Sequence, residues 1–321
     1  MPDITDLWVR PALAQIIPQG HWDLVVSTSG PYTVHKIAHQ LKRRGLASRW
    51  IADFRDLWSD NQIFPGLFPF TLLERYQERQ LMRAADIITT VTPGLHQTLG
   101  NKHGVQKTHL IENGIDFTDF DQLDPAPYFS QDGKFRLVHT GTIYQGYDPS
   151  PLFKAVQELK GHPTLDKLEI VFAGVNGNLP QEVEQRKIGA NVKFISQVKR
   201  EEALRMQRDA SALLFLPWEN IEANGIWSGK IFEYFYWNKP IVAVGGSSPN
   251  ATIRLSDELI IPHNFCQDVT KIKAYLTRSI DNYQPPAKHA IPSGMQKYSR
   301  KSLSKKMLDL VIDNSNAGRL S

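Results

Sequence analysis

The feature that most constrains this chain is the alternation of short apolar runs with helical segments, in two successive series. The first series opens with Asp23 to Ser29, an apolar run ending in small polar residues. A helical stretch from about Val34 to Arg44 follows, with Gly45 as its stop. Arg49 to Phe54 reads as the next strand, Leu72 to Ala84 as a charged helix, Ile87 to Val91 as a strand again, and Lys107 to Glu112 closes the half. The second series starts at Phe135 to Gly141 and runs through Leu168–Gly174, Val192–Ser196, Ala212–Pro217, Ile241–Val244 and Leu259–Pro262. Strands separated by helices pair through crossovers and form a mostly parallel sheet covered on both faces. Two such series predict an α/β fold of two doubly wound, Rossmann-like domains. The first is expected over 1–117 and the second over 135–294. Residues 118–134, rich in Asp, Pro, Ser and Gly without periodicity, are expected to link them.

Length and composition fit that plan. The 321 residues suffice for two domains with their own cores, and 41% hydrophobic against 22% charged residues is a globular balance. No apolar run approaches the ~20 residues of a membrane-spanning helix. The opening Met1 to Asp6 lacks the basic and apolar regions of a secretory signal, and the single Cys266 fits a reducing compartment, so a cytoplasmic location is expected. The net charge of +4 favours phosphate-bearing ligands or an anionic membrane surface without selecting either. The basic run Lys42-Arg43-Arg44, near Lys36, His39 and Arg49, reads first as a solvated helix end and second as a membrane or nucleic-acid patch.

Open parallel sheets bind ligands at the carboxyl ends of their strands, so function is sought just after each apolar run. Ser228-Gly229-Lys230-Ile231-Phe232-Glu233-Tyr234 reads as a helix start preceded by Gly225. Backbone N–H groups there, with Lys230, would favour phosphate oxygens, and Glu233 one turn on would suit a ribose diol. On spacing alone an ordinary surface Lys–Glu pair on an amphipathic helix is the better reading. The segment is not a Walker A loop, because Gly225 and Gly229 stand one residue too close and Ile231 replaces Ser or Thr. Gly141-Thr142-Ile143-Tyr144 is either a turn that brings backbone to a diphosphate or a plain strand-to-helix turn. Asp53-Phe54-Arg55-Asp56-Leu57-Trp58 is either a structural ion pair or a display of Arg55 to an anion. The ten histidines show no metal-ligand spacing and there is no Gly-x-Ser-x-Gly elbow, which argues against a metal hydrolase or a serine esterase.

In order along the chain these segments resemble the family-four retaining glycosyltransferases of GT-B fold. Lys230 to Tyr234 with Lys239-Pro240 is similar to that family's K-[LI]-F-E-Y … K-P-I stretch. The Gly141–Tyr144 turn, Ile111-Glu112-Asn113-Gly114-Ile115-Asp116 and Ala84 to Gly94 add to it. Asp53 to Trp58 resembles a D-F-R-D-x-W variant of a bacterial surface-polysaccharide subset. The segment 295–321 resembles the helix that crosses back to the first domain. The resemblance implies a nucleoside-diphosphate sugar as donor and a glycan or lipid-linked acceptor. It implies no cofactor, no metal and no nucleic-acid partner, and is compatible with a peripheral place on the inner membrane face. Lys230 would neutralise the diphosphate, Glu233 would hold the ribose, and Val198 would lie near the base. Gly141, Thr142, Gly225, Ser228 and Gly229 would complete the donor site. Arg55 and Asp56 would face the reaction, and Ser29 and Tyr32 the acceptor.

Three departures from the family pattern stand out. Thr142, Tyr147 and Asp148 fill a region where many relatives carry an arginine and a lysine, and Gly225 stands where many carry a glutamate. The stretch before Asp53 is also shorter than in full-length relatives, so the first domain is expected to be incomplete at its amino end. These departures keep open a catalytically degenerate sugar-nucleotide-binding or interaction protein, and behind it a sugar-nucleotide epimerase.

Overall fold

The computed structural model describes residues 4–61, 66–144, 146–217, 229–245, 250–284 and 289–317. It divides into two compact units, each built on its own parallel sheet. The first unit comprises residues up to Asn113 and the carboxyl-terminal stretch from Lys301; the described part of the second lies between Gly114 and Arg300.

In the first unit a 3-10 turn, Ile4–Trp8, leads into α1 (Val9–Ile16). Then come β1 (Trp22–Thr28), α2 (Thr33–Arg43), β2 (Ala47–Phe54), α3 (Phe70–Ala84), β3 (Ile87–Thr90), α4 (Pro93–His103) and β4 (Thr108–Leu110). The strands pair in the order β1-β2-β3-β4, all parallel. β2 is central and buried along nearly all its length, which is why Trp50 to Phe54 reads as an apolar run interrupted only by Asp53. Its Trp50, Ala52 and Phe54 pack with Met82, Ile88, Leu95 and Leu99. A smaller cluster of Leu13, Leu41 and Ala47 fixes α1, which the sequence reading did not anticipate. α4 starts where its chemistry dictates: Pro93 occupies the first turn and the Thr92 hydroxyl accepts from the Leu95 N–H at 3.3 Å.

The second unit contains α5 (Thr118–Asp121), β5 (Phe135–Thr140), α6 (Ser150–Glu158), β6 (Leu168–Ala173), α7 (Leu179–Gln185), β7 (Val192–Ile195), α8 (Arg200–Asp209) and β8 (Ala212–Phe215). It continues with α9 (Lys230–Trp237), β9 (Ile241–Ala243), α10 (Asn250–Glu258), β10 (His263–Phe265) and α11 (Val269–Asp281). α12 (Arg300–Ala317) returns the chain to the first unit, where Lys306 pairs with Glu112 at 3.0 Å. The six strands run β10-β9-β8-β5-β6-β7, again parallel. The sheet therefore grows in one direction from β5 to β7 and in the other from β8 to β10. The order reverses between β5 and β8, and the carboxyl ends of those two strands frame the crevice such a sheet offers a ligand.

Residues 118–134 lie within the second unit and are anchored there. The Asp209 carboxylate accepts the Tyr128 N–H at 2.6 Å, and Arg208 donates to the Asp124 and Ala126 carbonyls. The last strand falls at His263–Phe265 rather than Leu259–Pro262. Leu259 and Ile261 instead close α10, their N–H groups bonding to Leu255 O and Ser256 O, with Ile260 between them at φ 55°. Apolarity alone does not distinguish a helix-end staple from a strand.

Two buried groups make the first unit sensitive to acid. His35 is fully buried, its Nδ1 2.7 Å from Ser27 Oγ and its ring on Phe54, and burial lowers it to about 4. Glu78 is buried too; burial pushes it up, but hydrogen bonds from His103 and Ser59 and the Lys102 charge outweigh that and hold it at about 2. Below pH ~6.5 the unfolded chain takes a proton that native His35 refuses, so stability falls as pH drops towards 4. Below ~4.5 the same holds for Glu78, down to about 2. Each step is worth roughly 3 kcal/mol. Hydrogen exchange at β2 amides, measured against pH, should show both losses, and His35→Gln should abolish the first alone.

Candidate functional site

The crevice of the second unit is shaped by glycines at strand ends. Gly141, after β5, adopts φ 116°, and a Cβ built on it would lie 2.5 Å from Lys230 Nζ. Gly174, after β6, adopts φ 137°, and its Cβ would lie 2.5 Å from the Gly141 carbonyl oxygen. Gly245, after β9, would drive a Cβ to 2.6 Å from the Asp148 carbonyl. Positive φ already disfavours side chains, and here the space is taken as well. The Lys230 ammonium thus rests against the bare Cα of Gly141.

α9 brings Lys230 there because six of its eight residues are buried, which fixes the helix along its length. Among the described residues Lys230 has no ion-pair or hydrogen-bond partner. Burial lowers it to about 8, with the Glu233 charge acting in the other direction. The Gly141 N–H is spent on Ala173 O at 2.6 Å, so Gly141 contributes its missing side chain rather than a donor. The half-buried Thr142 leaves its backbone N–H unpaired among the described residues.

Glu233 is clamped. Oε1 accepts from Arg200 Nη1 at 2.7 Å and Oε2 from Gln207 Nε2 at 2.9 Å, while Arg200 also reaches Asp119 and Gln207 also reaches Thr140 Oγ1. Each carboxylate oxygen keeps a further lone pair for a ligand. Val198 is half-buried in the turn between β7 and α8, two residues before Arg200. Beneath Lys230 lies His139, fully buried, whose Nδ1 sits 3.1 Å from Leu214 O. A carbonyl can only accept, so Nδ1 carries the proton and Nε2 is left without a partner among the described residues. Burial and then the Lys230 charge lower His139 well below the usual imidazole range, so the ring stays neutral. Gly229 precedes α9 with φ −53° and open space around its Cα, so its position does not itself require glycine. Gly225 and Ser228 lie outside the described residues.

In the first unit, Arg55 follows β2. Its Nε donates to Asp53 Oδ2 at 2.9 Å and its Nη1 to Asn113 Oδ1 at 2.7 Å. Asp53 is buried and its other oxygen accepts from Thr89 at 2.8 Å, so the ion-pair reading of this segment describes the geometry. The Ser29 hydroxyl accepts from the Arg55 N–H at 3.2 Å. Tyr32 stacks on Trp58 at 5.1 Å and donates to Leu57 O at 2.7 Å, and burial pushes its hydroxyl up to about 12. Asp56 is exposed at this corner, with partial desolvation raising its carboxyl. The sequence reading missed Arg200, Gln207 and His139 as site residues, and named Asn113 only within the Ile111–Asp116 stretch. Of the three missed, only His139 carried a signal, a histidine in an apolar run ending at a glycine turn.

Two Rossmann-like units on parallel sheets, with the crevice at a strand-order reversal, are the GT-B fold. The chain matches no protein-family model and no curated protein sequence. Among solved structures it is similar to HepE from Anabaena, solved with UDP, at 13% identity and a TM-score of 0.68, over 94% of this chain and 82% of that one. It is similar to sucrose-phosphate synthase from Thermosynechococcus elongatus at 12% identity and a TM-score of 0.62, over 97% and 78%. A Listeria monocytogenes protein provisionally named a UDP-N-acetylglucosamine 2-epimerase matches at 13% identity and a TM-score of 0.58, over 98% and 79%. At such identities the likeness is one of fold. No described helix is long and apolar enough to cross a membrane.

The glycine stack predicts a graded response to one methyl group. Gly174→Ala should cost about 3 kcal/mol in denaturant unfolding, from positive-φ strain and the clash with Gly141 O. Gly189→Ala, with nothing within 4 Å, should change stability by less than about 0.5 kcal/mol.

Proposed function

We propose that the chain is a glycosyltransferase that moves a sugar from a nucleoside-diphosphate sugar to a glycan or lipid-linked acceptor, with retention of configuration. One observation carries the reading. Lys230 is an ammonium without a partner among the described residues, at a helix start, against a glycine turn, where the strand order reverses. A diphosphate is the ligand that such a place suits, because helix N–H groups and the lysine both favour its oxygens. The presence of UDP in the HepE structure supports the same assignment.

In transfer with retention, the acceptor hydroxyl bonds to the anomeric carbon on the face from which the diphosphate departs. The bond from that carbon to the phosphate oxygen breaks, and the acceptor proton passes to the leaving diphosphate. No protein nucleophile is used, and stabilisation of the departing charge does most of the work. Lys230 supplies that charge, the Thr142 N–H a donor, and Glu233 the ribose contact, held in place by Arg200 and Gln207. Val198 is assigned to the base, Arg55 and Asp56 to the reacting centre, and Ser29 and Tyr32 to the acceptor side. The reading needs no metal, so activity should survive a chelator. A lipid-linked acceptor would bring the protein to a membrane surface as a peripheral partner.

Calorimetry with nucleoside diphosphates and their sugars tests the donor site. Lys230→Ala should weaken binding at least tenfold, and unchanged affinity would overturn the assignment. Burial holds Lys230 at about 8 in the free protein, and a bound diphosphate favours the ammonium. Wild-type affinity should therefore be level below pH 8 and fall about tenfold per pH unit above it. The Listeria neighbour keeps an epimerase in view. Exchange of the C2 proton of UDP-N-acetylglucosamine in deuterated water, with no acceptor, would select it. Tight binding with neither transfer nor exchange would identify a binding protein.

A further inference from the structure

The opposite end of the second sheet holds another cavity, of about 560 Å³, at the amino ends of β5, β8 and β9. Phe135, Tyr275 and Tyr283 give it apolar walls, and Phe135 and Tyr283 meet edge to face at 5.4 Å. Lys239 and Arg278 line it as well. Lys239 is only 8% exposed, yet among the described residues it has no ion pair and no hydrogen bond, and neither does the Arg278 guanidinium. The nearest acid to Lys239, Asp209, is engaged by Arg208 and the Tyr128 N–H.

A buried ammonium without a partner is costly and calls for an explanation. Helix ends supply part of one. Lys239 follows the end of α9, where Asn238 turns the chain at φ 50°, and Arg278 sits in the last turn of α11. Cations there complement the carbonyl ends. That attraction does not make up for burial, because Lys239 is still depressed to about 8. Lys239 is therefore under-compensated, with the exposed Arg278 on the same cavity, room for an anion, and aromatic surface for whatever the anion is attached to. The volume lies within the range of small-molecule sites.

We propose that this cavity is a second ligand site, for a small phosphate ester whose organic part rests on Tyr275 and Tyr283 and whose phosphate is gripped by Lys239 and Arg278. The arginine fork and the lysine point charge together suit a phosphate dianion better than a single-charge carboxylate. The site is independent of the donor reading, since it shares no residue with the Gly141–Lys230 crevice.

Phenyl phosphate combines the two required features and is the probe to titrate into the full chain by calorimetry at pH 7. Saturable binding is expected, weakened at least tenfold by Lys239→Met and by Arg278→Gln and unchanged by Lys230→Ala. Arg278 is exposed, so its replacement tests the site even if Lys239→Met unfolds the protein. Absence of saturable binding to millimolar concentration would overturn the proposal. So would binding indifferent to both variants, binding lost with Lys230→Ala, or benzoate binding as tightly as phenyl phosphate.

Discussion

The second unit turns on a contact that lacks a side chain on one partner. Gly174 abuts the Gly141 carbonyl, and Gly141 in turn makes room for the Lys230 ammonium. The carboxyl ends of β5 and β6 can approach only because neither glycine has a Cβ, and that approach places a cation where the strand order reverses. The lysine has no choice of position, since its helix is buried almost all round and anchored by its aromatic residues. Rigid backbone on one side and rigid helix on the other leave a charge that the described protein atoms do not neutralise. This is electrostatic preorganisation in its simplest form, with the cost met during folding rather than during binding.

The first unit solves a related problem by satisfying its charges. Asp53 is buried at the end of the central strand and divides its oxygens between Thr89 and Arg55, while Arg55 reaches on to Asn113. Ser29 accepts from the backbone of the same arginine. The strand ends are thereby cross-linked through polar groups that would be expensive to leave unpaired. Glu78 does the same behind them with Lys102, His103 and the Ser59 N–H.

Much of this fold was legible in the sequence because parallel strands buried on both faces read as continuous apolar runs. Trp50 to Phe54 and Phe135 to Thr140 are mostly apolar runs of strand length, each interrupted by one or two polar residues. The reading went astray where apolarity serves a helix end, as at Leu259 and Ile261, and where a short amphipathic piece such as Val9–Ile16 packs as a satellite. At the site, Gly141 and Lys230 announced themselves by standing at an element boundary. Arg200 and Gln207 did not, because their partner Glu233 lies far along the chain and no local spacing encodes the encounter. Lys239 was visible beside Pro240, but its isolation was not, since the lack of a partner is a property of three dimensions.

α9 has a consequence for the chain before it folds. Ile231-Phe232-Glu233-Tyr234-Phe235-Tyr236-Trp237 concentrates aromatic and β-branched residues in seven positions with one charge. Outside the native helix such a segment has the composition of a strand that stacks on copies of itself. The lysines that flank it, Lys230 and Lys239, are the like charges that keep two such segments apart on the ribosome or in a refolding mixture. Two lysines without partners among the described residues of the folded protein thus flank a stretch whose composition favours self-association.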